Sequence, residues 1–542
     1  MAPAKRAGTL ESLRAALRSR RIGAVTLQSF SSGLPLGLVW IALPAWLTYR
    51  GVDIKTVGLF ALSQAPWSFK FLWAPLVDRF RLPFLGRQRS WMIVSQVFLA
   101  VGIALFATEG SAPRVGVVVA ISLAVAFWSA TQDIAIDSYA VEILERSEQG
   151  LAVGARTALY RAAVLVSGAI AITYGQRYGW PRVFEILALL FLPMMLVVIW
   201  SPEPSAPARP VRTLKEAVFE PFVGIFRKSR AIEIIAFLLL YKFGENLGTA
   251  VIRPFLIKKC FVPEDVGLAT ATIGLTGIIL GTFFGGWMTD RIGLGKALWL
   301  FGFLQSIGSL SYLAIHFMTP GEPCGTPGVV GLVQPLGHRL AMYAAVGIEN
   351  VFLGTATGAF GVFLLRLTQK QFSATQYALF SSIFAVGRIL PGPLAGVLVD
   401  AAGWTTLFVM SFVFSIPGFL LLQRFAPLGK WEPDLEAGEE RERIPLRRGS
   451  LLLSGLAAGI IGLLTGVLAS AFLAALKAMR ARPGAKLDVA MQLARLFSPA
   501  SPSDWLRLAG PLCLGLFCGL AAAALLAARH GIGAASHRTS PS

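Results

Sequence analysis

Acidic side chains stand inside long apolar stretches of this chain, where an ionised group is hard to accommodate. Asp133 and Asp137 follow Gln132 in one such stretch, and their spacing of one helical turn places both carboxyl groups on the same helix face. An ionised side chain at the centre of a bilayer costs at least about 2.5 to 3.5 kcal/mol. Carboxyl groups in such surroundings can take up and release protons. We therefore interpret Asp133 and Asp137 as candidate proton-coupling residues, with permanent pairing to a cation as the alternative.

Basic side chains occupy comparable positions in other apolar stretches. They are Lys70, Arg161 and Arg388, of which the two arginines occupy equivalent places in two related parts of the chain. Guanidinium groups present forked donors that match a carboxylate. We interpret these three cations, together with Gln132, as candidate binding residues for an anionic substrate. The alternative is a structural pair between Arg161 and Asp133 with no ligand.

A second group of polar residues lies further along the chain. Lys242, Glu245 and Asn246 are spaced i, i+3 and i+4, so a helix would place them on one face. Glu349 and Asn350 lie deep in another apolar run. We interpret the two glutamates as candidate proton-coupling residues and the other three residues as candidate substrate contacts. The alternative for Lys242 and Glu245 is mutual neutralisation.

Three aromatic residues near these polar positions complete the candidate site, and they are Trp40, Trp128 and Tyr160. A sugar ring could stack on such residues because its axial C–H groups pack against aromatic planes. The alternative for each is ordinary packing. The four histidines show no zinc-binding spacing, so we predict no metal, no cofactor and no enzymatic activity.

Helices that cross a membrane must position these residues, because a helix of roughly 20 apolar residues spans about 30 Å of hydrocarbon. The chain of 542 residues is 55% hydrophobic and 14% charged, which predicts an all-α polytopic membrane protein. The predicted spans are 22–47, 56–77, 91–108, 115–140, 150–174, 181–200, 232–256, 264–288, 297–317, 339–364, 376–399 and 405–424, with two further runs at 450–472 and 507–528.

Short motifs recur in the two parts of the chain. Asp78-Arg79 returns 212 positions later as Asp290-Arg291, and Gly179-Trp180 returns 224 positions later as Gly403-Trp404. Duplicated helical halves of this size are typical of secondary transporters. The predicted organisation is a basic N-terminus (1–21), a six-helix half (22–200), a linker (201–231), a second six-helix half (232–424), a loop (425–449) and two extra transmembrane helices with a tail (450–542).

The distribution of Lys and Arg predicts the orientation. Basic residues concentrate in the N-terminus, in the loop around Arg79 and Arg87 and in the linker, so these segments are expected in the cytoplasm. Basic loops near an anionic leaflet also explain the net charge of +20 without nucleic acid. If consecutive spans cross the membrane in alternating directions, the basic loop between the last two runs lies outside. Either fourteen spans form despite the preference of basic loops for the cytoplasm, or the final two runs do not both cross the membrane. Cys260 and Cys324 fall in predicted external loops and could pair.

Several strings of residues resemble one known family. They are SSGLPLGL (31–38), KFLWAPLVDRF (70–80), PFLGRQRSW (83–91), SATQDIAID (129–137), YKFGENL (241–247) and FSATQYALFSSIFAVGR (372–388). Together they resemble the major facilitator superfamily and, more narrowly, the AmpG muropeptide permease family. The chain departs from that pattern at Gln149, where the family usually has Arg.

The resemblance implies a major facilitator fold with two extra C-terminal helices, in the bacterial inner membrane. It also implies proton-driven import of GlcNAc-1,6-anhydro-MurNAc and its peptide forms from the periplasm for peptidoglycan recycling. Asp78-Arg79 and Asp290-Arg291 correspond to the superfamily's loop motif and are interpreted as conformational switch residues. The expected partners are an anhydro-muropeptide, protons and the lipid bilayer, and the default assembly is a monomer.

Other functions are compatible with parts of this pattern. A transporter of acetyl-CoA or another anionic metabolite would use the same basic residues. A membrane-embedded transferase would require clustered His, Asp or Ser residues at one interface, which four scattered histidines do not supply. A receptor that kept the fold without transporting is a third alternative. The mechanism we expect is alternating access, in which the two halves rock around a central cavity.

Overall fold

The computed structural model describes residues 19–52, 63, 65–110, 113–204, 213–228, 230–319, 334–389, 391–435, 448–481, 488–498 and 502–530. Within these ranges the chain is mainly helical and contains no β-strand, which confirms the all-α prediction. The chain divides into two compact units, Met1–Pro210 with Ile232–Leu435, and Val211–Ala231 with Glu436–Ser542.

The first unit contains two sets of helices that follow the repeat of the sequence. The N-terminal half comprises α1 (Arg20–Tyr49), α2 (the pieces Ala65–Phe69, Lys70–Leu72 and Ala74–Arg79), α3 (Arg87–Thr108), α4 (Val115–Ile143), α5 (Gln149–Tyr178) and α6 (Trp180–Trp200). The C-terminal half comprises α7 (Ala231–Lys258), α8 (Pro263–Ile292), α9 (Leu294–Met318), α10 (Leu336–Leu367), α11 (Ser373–Ile389, then 391–402) and α12 (404–425).

The repeated Gly-Trp motifs mark the same corner in each half. Gly179 separates α5 from α6 with φ 91°, and Gly403 separates α11 from α12 with φ 78°. Glycine adopts this left-handed conformation without the steric cost that a Cβ would bring. The tryptophan that follows packs into the core of its own half, Trp180 against Trp46 and Trp404 against Phe255. The motif therefore sets a sharp turn and anchors the helix that follows it.

Eleven helices in the described ranges are long and apolar enough to cross a membrane. The predicted span 56–77 lies partly outside the described residues. The region of α11 and α12 counts once among the eleven, as Leu394–Phe425, and the last predicted span contains the shorter apolar helix Leu514–Ala527. The molecule is thus a multi-pass membrane protein.

Helix α7 departs from the sequence prediction. The spans predict one uninterrupted helix over 232–256, but α7 breaks at Lys242, where φ is −108° and ψ is 8°, and again at Val251. The piece between the breaks, Phe243–Thr249, includes two glycines, which weaken a helix relative to alanine. The polar residues of α7 therefore sit at and just after a helix break.

Close helix contacts rely on glycine. A Cβ added to Gly33 of α1 would lie 2.4 Å from the carbonyl oxygen of Tyr160 on α5. In a bilayer such small residues let backbones approach, and packing rather than water exclusion then holds the helices together. Replacement of Gly33 by a larger residue would push α1 away from α5.

The second unit contains the linker helix Leu214–Phe226 and two long helices, α13 (Arg448–Ala481) and α14 (Pro502–His530). The Thr213 side chain caps the linker helix by accepting a hydrogen bond from the Glu216 N–H (3.1 Å), and Phe222 contacts Phe517 of α14. Between α13 and α14 lies the amphipathic helix Val489–Phe497, whose Leu496 packs against Val467 of α13.

Candidate functional site

Asp137 of α4 is the centre of a buried charge cluster in the N-terminal half. Its Oδ2 lies 3.3 Å from Lys70 Nζ, and its Oδ1 accepts a hydrogen bond from Arg156 Nη2 at 2.6 Å. Lys70 begins the 3-10 turn in the middle of α2, and Arg156 lies on α5. One carboxylate thus holds two cations from two other helices, which compensates its charge away from water.

Arg156 is a member of this cluster that the sequence reading missed. It lies seven residues after the start of α5, and Asp137 lies six residues before the end of α4. Because an α-helix rises 1.5 Å per residue, each side chain lies about 10 Å along its helix from the loop that joins α4 to α5. Comparing depths in this way would have found the pair. Tyr377 of α11 lies next to Arg156 and brings the C-terminal half to the same place.

Asp133 has a different environment. Its Oδ1 accepts a hydrogen bond from Ser32 Oγ on α1, and Lys70 and Arg156 are the cations that act on it. The ion pairs of the described chain do not join Asp133 to Arg161, so the alternative structural pair is not found. The Arg161 and Tyr160 side chains each have contacts of their own. Their assignment as substrate contacts stays a prediction.

Gln132 takes part in a hydrogen-bond network inside the N-terminal half. Its Nε2 donates to Ser31 Oγ at 2.6 Å, and Gln96 of α3 donates to Gln28 at 2.8 Å and to Ser31 at 3.2 Å. These side chains tie α1, α3 and α4 together. The position of Gln132 in this network explains its presence structurally, and contact with a substrate stays a prediction.

The candidate tryptophans differ in their surroundings. Trp40 is 43% exposed and meets Trp67 of α2 edge to face at 6.1 Å between ring centroids. Trp128 is stacked on Phe98 of α3 at 4.1 Å, so one face of its ring is already covered. Of the two, Trp40 offers the more accessible ring to a sugar.

In the C-terminal half, Lys242 and Glu245 lie close to each other. Lys242 Nζ is 3.9 Å from Glu245 Oε2 and donates a hydrogen bond to Thr357 of α10 at 2.7 Å. Asn246 Nδ2 donates to the Gly387 carbonyl oxygen of α11 at 3.5 Å. The side chain of Arg388 lies outside the described residues, although its backbone belongs to α11.

Glu349 of α10 points towards α9. Its Oε2 accepts a hydrogen bond from the Tyr312 hydroxyl at 2.7 Å and one from Asn350 Nδ2 at 3.3 Å. Asn350 also donates to the Val346 carbonyl oxygen of its own helix at 2.8 Å. Tyr312 could not be predicted as a functional residue, because a tyrosine in an apolar helix is common. Within the described ranges no cluster of His, Cys, Asp and Glu side chains could hold a metal ion.

The two halves meet through their helix termini at the end of the bundle where α1 begins, called here the N-side. Asp78, at the end of α2, accepts hydrogen bonds from the N–H groups of Ala374 (3.1 Å) and Thr375 (2.8 Å), and from the Thr375 hydroxyl (2.7 Å). These groups form the N-terminus of α11, where the helix dipole favours an anion. Arg87 supports Asp78 from 3.6 Å and also pairs with Glu142 of α4.

The second Asp-Arg motif makes the corresponding contact with the halves exchanged: the aspartate belongs to the C-terminal half and the capped helix to the N-terminal half. Asp290, near the end of α8, accepts hydrogen bonds from the Gly150 N–H (3.0 and 3.2 Å) at the N-terminus of α5. Arg366 of α10 lies 3.6 Å from Asp290 and bonds to Gln149 Oε1 at 3.1 Å. Each half therefore caps a helix of the other half, as the duplication of the motif implies.

The arginines of the two motifs play a different part. Arg79 lies over the ring of Phe80 at 5.6 Å and Arg291 over that of Trp287 at 4.7 Å. Both pairs are cation–π contacts with residues of their own element. The aspartates, rather than these arginines, make the contacts between halves described above. The assignment of all four residues as a conformational switch stays a prediction.

Backbones also come together at the N-side. A Cβ added to Gly286 of α8 would lie 2.1 Å from the Gly150 carbonyl oxygen of α5. At the opposite end of the bundle, called the far side, polar contacts join helices of one half. Examples are the pairs Arg114 with Glu109 and Arg339 with Asp265. Hydrogen bonds from Arg114 hold the pKa of Glu109 below its usual range. The structure is therefore closed at the N-side.

Comparisons with known proteins agree with this architecture. Residues 25–333 match the sequence family described as the Major Facilitator Superfamily. The anhydromuropeptide permease of Escherichia coli K12 is 34% identical over 404 residues, which are 74% of this chain and 79% of that protein. An uncharacterized protein of Haemophilus influenzae is 33% identical over 428 residues, 77% of this chain and 97% of that protein.

A solved structure is similar as well. The crystal structure of the Escherichia coli fucose:proton symporter covers 74% of this chain and 98% of its own chain, with a TM-score of 0.55 and 13% identity. At this identity the likeness shows the fold. The chain is thus a membrane transporter and not an enzyme, and it belongs to the major facilitator superfamily and, within it, to the AmpG family of permeases.

Proposed function

We propose that this protein imports anhydromuropeptides, GlcNAc-1,6-anhydro-MurNAc with or without its peptide, from the periplasm to the cytoplasm of a bacterium. Import is coupled to the inward movement of protons across the inner membrane and serves peptidoglycan recycling. The name of the Escherichia coli relative supports the substrate. The observation that carries the proposal is the buried cluster of Lys70, Arg156 and Asp137, which offers oriented cations to an anion.

The cluster suits a substrate that carries carboxylates. Lys70 and Arg156 are both held by Asp137, so their donors are oriented before any ligand arrives. A substrate carboxylate can take the place of Asp137 at either cation, because the guanidinium presents several donors and the ammonium three. Lys242, Arg161 and Arg388 are further candidate contacts, and Trp40 with Tyr160 are candidate surfaces for the sugar rings.

The direction of transport follows from the orientation that we propose. The Lys and Arg residues of the loops at the N-side support a cytoplasmic N-side. Cys260, just after α7 at the far side, is disulfide-bonded, while Cys324, its candidate partner, lies outside the described residues. Disulfides persist in the periplasm and not in the cytoplasm, which supports the same orientation. A structure closed at the cytoplasmic side is the state expected to receive cargo from the periplasm.

Transport then requires the N-side contacts to open. We propose that the caps at Asp78 and Asp290 break together as the halves rock, since each joins one half to the other. The candidate groups for proton coupling are Asp133, Asp137, Glu245 and Glu349.

The test is uptake of labelled GlcNAc-1,6-anhydro-MurNAc-peptide into proteoliposomes of the purified protein, with and without an imposed proton gradient. Acetyl-CoA serves as parallel cargo. Accumulation of the muropeptide that depends on the gradient and disappears with a protonophore is the expected result. Uptake of acetyl-CoA instead, or of neither cargo, would overturn the substrate assignment.

A variant pair tests the cation cluster. Arg156→Ala should abolish muropeptide uptake, and Arg156→Lys, which keeps the charge but loses the fork, should restore it in part. Equal uptake by the wild type and Arg156→Ala would remove the cluster from the substrate path.

A further inference from the structure

Glu349 is a buried acid with an incomplete set of partners. It is 4% exposed, in the interior of the C-terminal half. The Tyr312 hydroxyl and Asn350 Nδ2 both donate to Oε2, whereas Oε1 is buried with no hydrogen-bond partner. No ion pair of the described chain includes Glu349, in contrast to Asp137 with its two cations.

Tyr312 is held rigidly beside this acid. It is fully buried on α9, stacked on Phe408 of α12 at 5.5 Å and edge to face with Phe255 of α7 at 6.1 Å. Aromatic packing on two sides fixes the direction of its hydroxyl. The hydroxyl therefore holds the carboxyl group of Glu349 in one orientation and leaves Oε1 as the free oxygen.

Among the side chains that the structure describes, the charged groups that act on Glu349 do not compensate its charge. Glu245 of α7 is the ionisable carboxyl group that acts on it, and the cation beside Glu245 is Lys242, at 3.9 Å. From α9 the titratable neighbours are Tyr312 and, one turn on, His316, whose ring lies against Phe255. An ionised Glu349 would be an uncompensated charge close to a second acid, which is costly in a low-dielectric interior. A proton on Oε1 removes that charge.

The acid at position 349 has no acidic counterpart at the equivalent position of the N-terminal half. Phe127 and Phe352 occupy equivalent places in the repeat, 225 positions apart, and the same offset pairs Glu349 with Ala124. The N-terminal half therefore has an apolar methyl group where the C-terminal half has a carboxyl group. A residue needed only to pack α10 against α9 would not have to be acidic.

We propose that Glu349 carries the transported proton on Oε1 and that Tyr312 is its positioning residue, while the cation cluster of the N-terminal half holds the substrate anion. This inference rests on the proposed proton-coupled import. It divides the two tasks between the halves. Proton release from Glu349 becomes favourable only when rocking of the halves brings water or a cation to the carboxyl group, so the proton and the conformation move together.

The experiment compares two modes of transport by the full chain in proteoliposomes. Uptake driven by a proton gradient requires coupling, whereas counterflow, the exchange of labelled for unlabelled muropeptide without a gradient, requires only substrate binding and rocking. Glu349→Gln, which mimics the neutral acid, should lose gradient-driven accumulation and keep counterflow at all pH values between about 5.5 and 8. Loss of gradient-driven accumulation in Asp133→Asn but not in Glu349→Gln would assign the proton to the rival site and overturn the proposal.

A tyrosine pair isolates the positioning role. Tyr312→Phe should keep transport but move the midpoint of its pH profile upward, because the ionised carboxylate loses a donor. The matched control is Tyr241→Phe, which removes a buried hydroxyl that donates to the Leu298 carbonyl oxygen at 2.8 Å, away from Glu349. The control should leave the profile in place.

The outcomes separate this inference from the function on which it rests. If the wild type shows no gradient dependence, the proposed coupling itself fails. If the wild type is coupled and Glu349→Gln still accumulates cargo, or loses counterflow as a monodisperse protein, Glu349 is not the proton carrier. If Glu349→Gln does not fold, Glu349→Asp replaces it, and an unchanged pH profile for both Glu349→Asp and Tyr312→Phe overturns the proposal.

Discussion

At the scale of single residues, the buried charges of this protein differ in how they are compensated. Asp137 holds two cations, Asp133 has a hydroxyl donor, and Glu349 has a phenol donor and a free oxygen. Compensation by fixed cations stabilises an ionised carboxylate, whereas a hydroxyl can serve either protonation state. A buried carboxyl group can therefore stabilise the fold through ion pairs in one half and carry a proton in the other.

The first prediction concerns Asp137→Asn. The substitution leaves Lys70 and Arg156 facing each other without a counter-charge, and breaking a buried ion pair in this way costs about 3 to 5 kcal/mol. We expect a clearly lower melting temperature of the detergent-solubilised protein and loss of transport. Ser138→Ala is the matched control, because its hydroxyl bonds only to the Ala135 carbonyl oxygen of its own helix. Equal melting temperatures for wild type and Asp137→Asn would contradict the cluster.

The second prediction concerns Gln149, where the sequence resemblance leads us to expect Arg in the family. Gln149 accepts a hydrogen bond from Arg366 at 3.1 Å. Gln149→Arg would place two guanidinium groups together and weaken the closed N-side, although Asp290 and Glu432 partly compensate Arg366. Spin labels at the ends of α4 and α10 should report longer distances. Gln149→Ala, which adds no charge, should lengthen these distances less than Gln149→Arg does. A larger increase for Gln149→Ala would refute the expectation.

At the scale of helices, the closed N-side depends on helix termini and on glycine. Asp78 and Asp290 each satisfy N–H groups that a helix leaves unpaired in its first turn. Gly150 and Gly286 let α5 and α8 cross at backbone contact. Such contacts are many but individually weak, which suits an interface that must open in every transport cycle.

The third prediction tests the glycine crossing. Gly286→Leu places a side chain where even a Cβ would meet the Gly150 carbonyl oxygen at 2.1 Å, so the N-side cannot close. We expect a protein that folds, that stays open at the N-side and that does not transport. Gly267→Leu on the same helix is the control, since an added Cβ there meets nothing within 4 Å. Accessibility to a thiol reagent of an engineered cysteine at Val153, which is buried on α5 against Gly361 of α10, measures the opening, and unchanged protection in Gly286→Leu would contradict the prediction.

At the scale of the whole molecule, the duplicated halves explain why the switch contacts come in two. A pseudo-twofold relation turns the Asp78 contact with α11 into the Asp290 contact with α5, so we expect both to break in the rocking motion that we propose. The orientation of the protein in the membrane decides which compartment the closed N-side faces. That orientation is open to a direct experiment.

The fourth prediction uses Cys260, which lies at the far side and is disulfide-bonded. In a background lacking Cys513 and Cys518, a membrane-impermeant maleimide should label intact spheroplasts only after reduction, because the far side faces the periplasm. Replacement of Cys260 by serine should remove one of the labelled sites. Labelling confined to inside-out vesicles would reverse the topology and with it the proposed direction of transport.

The class of the protein could be predicted from patterns in its sequence. Apolar runs of spanning length, the repeats of Asp78-Arg79 and Gly179-Trp180, and the acids inside apolar helices were enough to predict an all-α transporter with two related halves, because these features depend on local hydropathy and on short motifs. The predicted spans 376–399 and 405–424 also left a gap that contains Gly403, and the structure has its corner there, where a positive φ favours glycine.

Which charges meet became visible only in the packed helices. The sequence offered Arg161 as a partner for Asp133, but Asp133 bonds to Ser32, and Arg156 instead pairs with Asp137. Tyr312 became important only once α9 lay against α10 and brought its hydroxyl to Glu349. Which side chains pair depends on the rotation of each helix about its axis and on its depth in the membrane. A hydropathy pattern does not give the rotation, and it places the helix ends only to within a few residues.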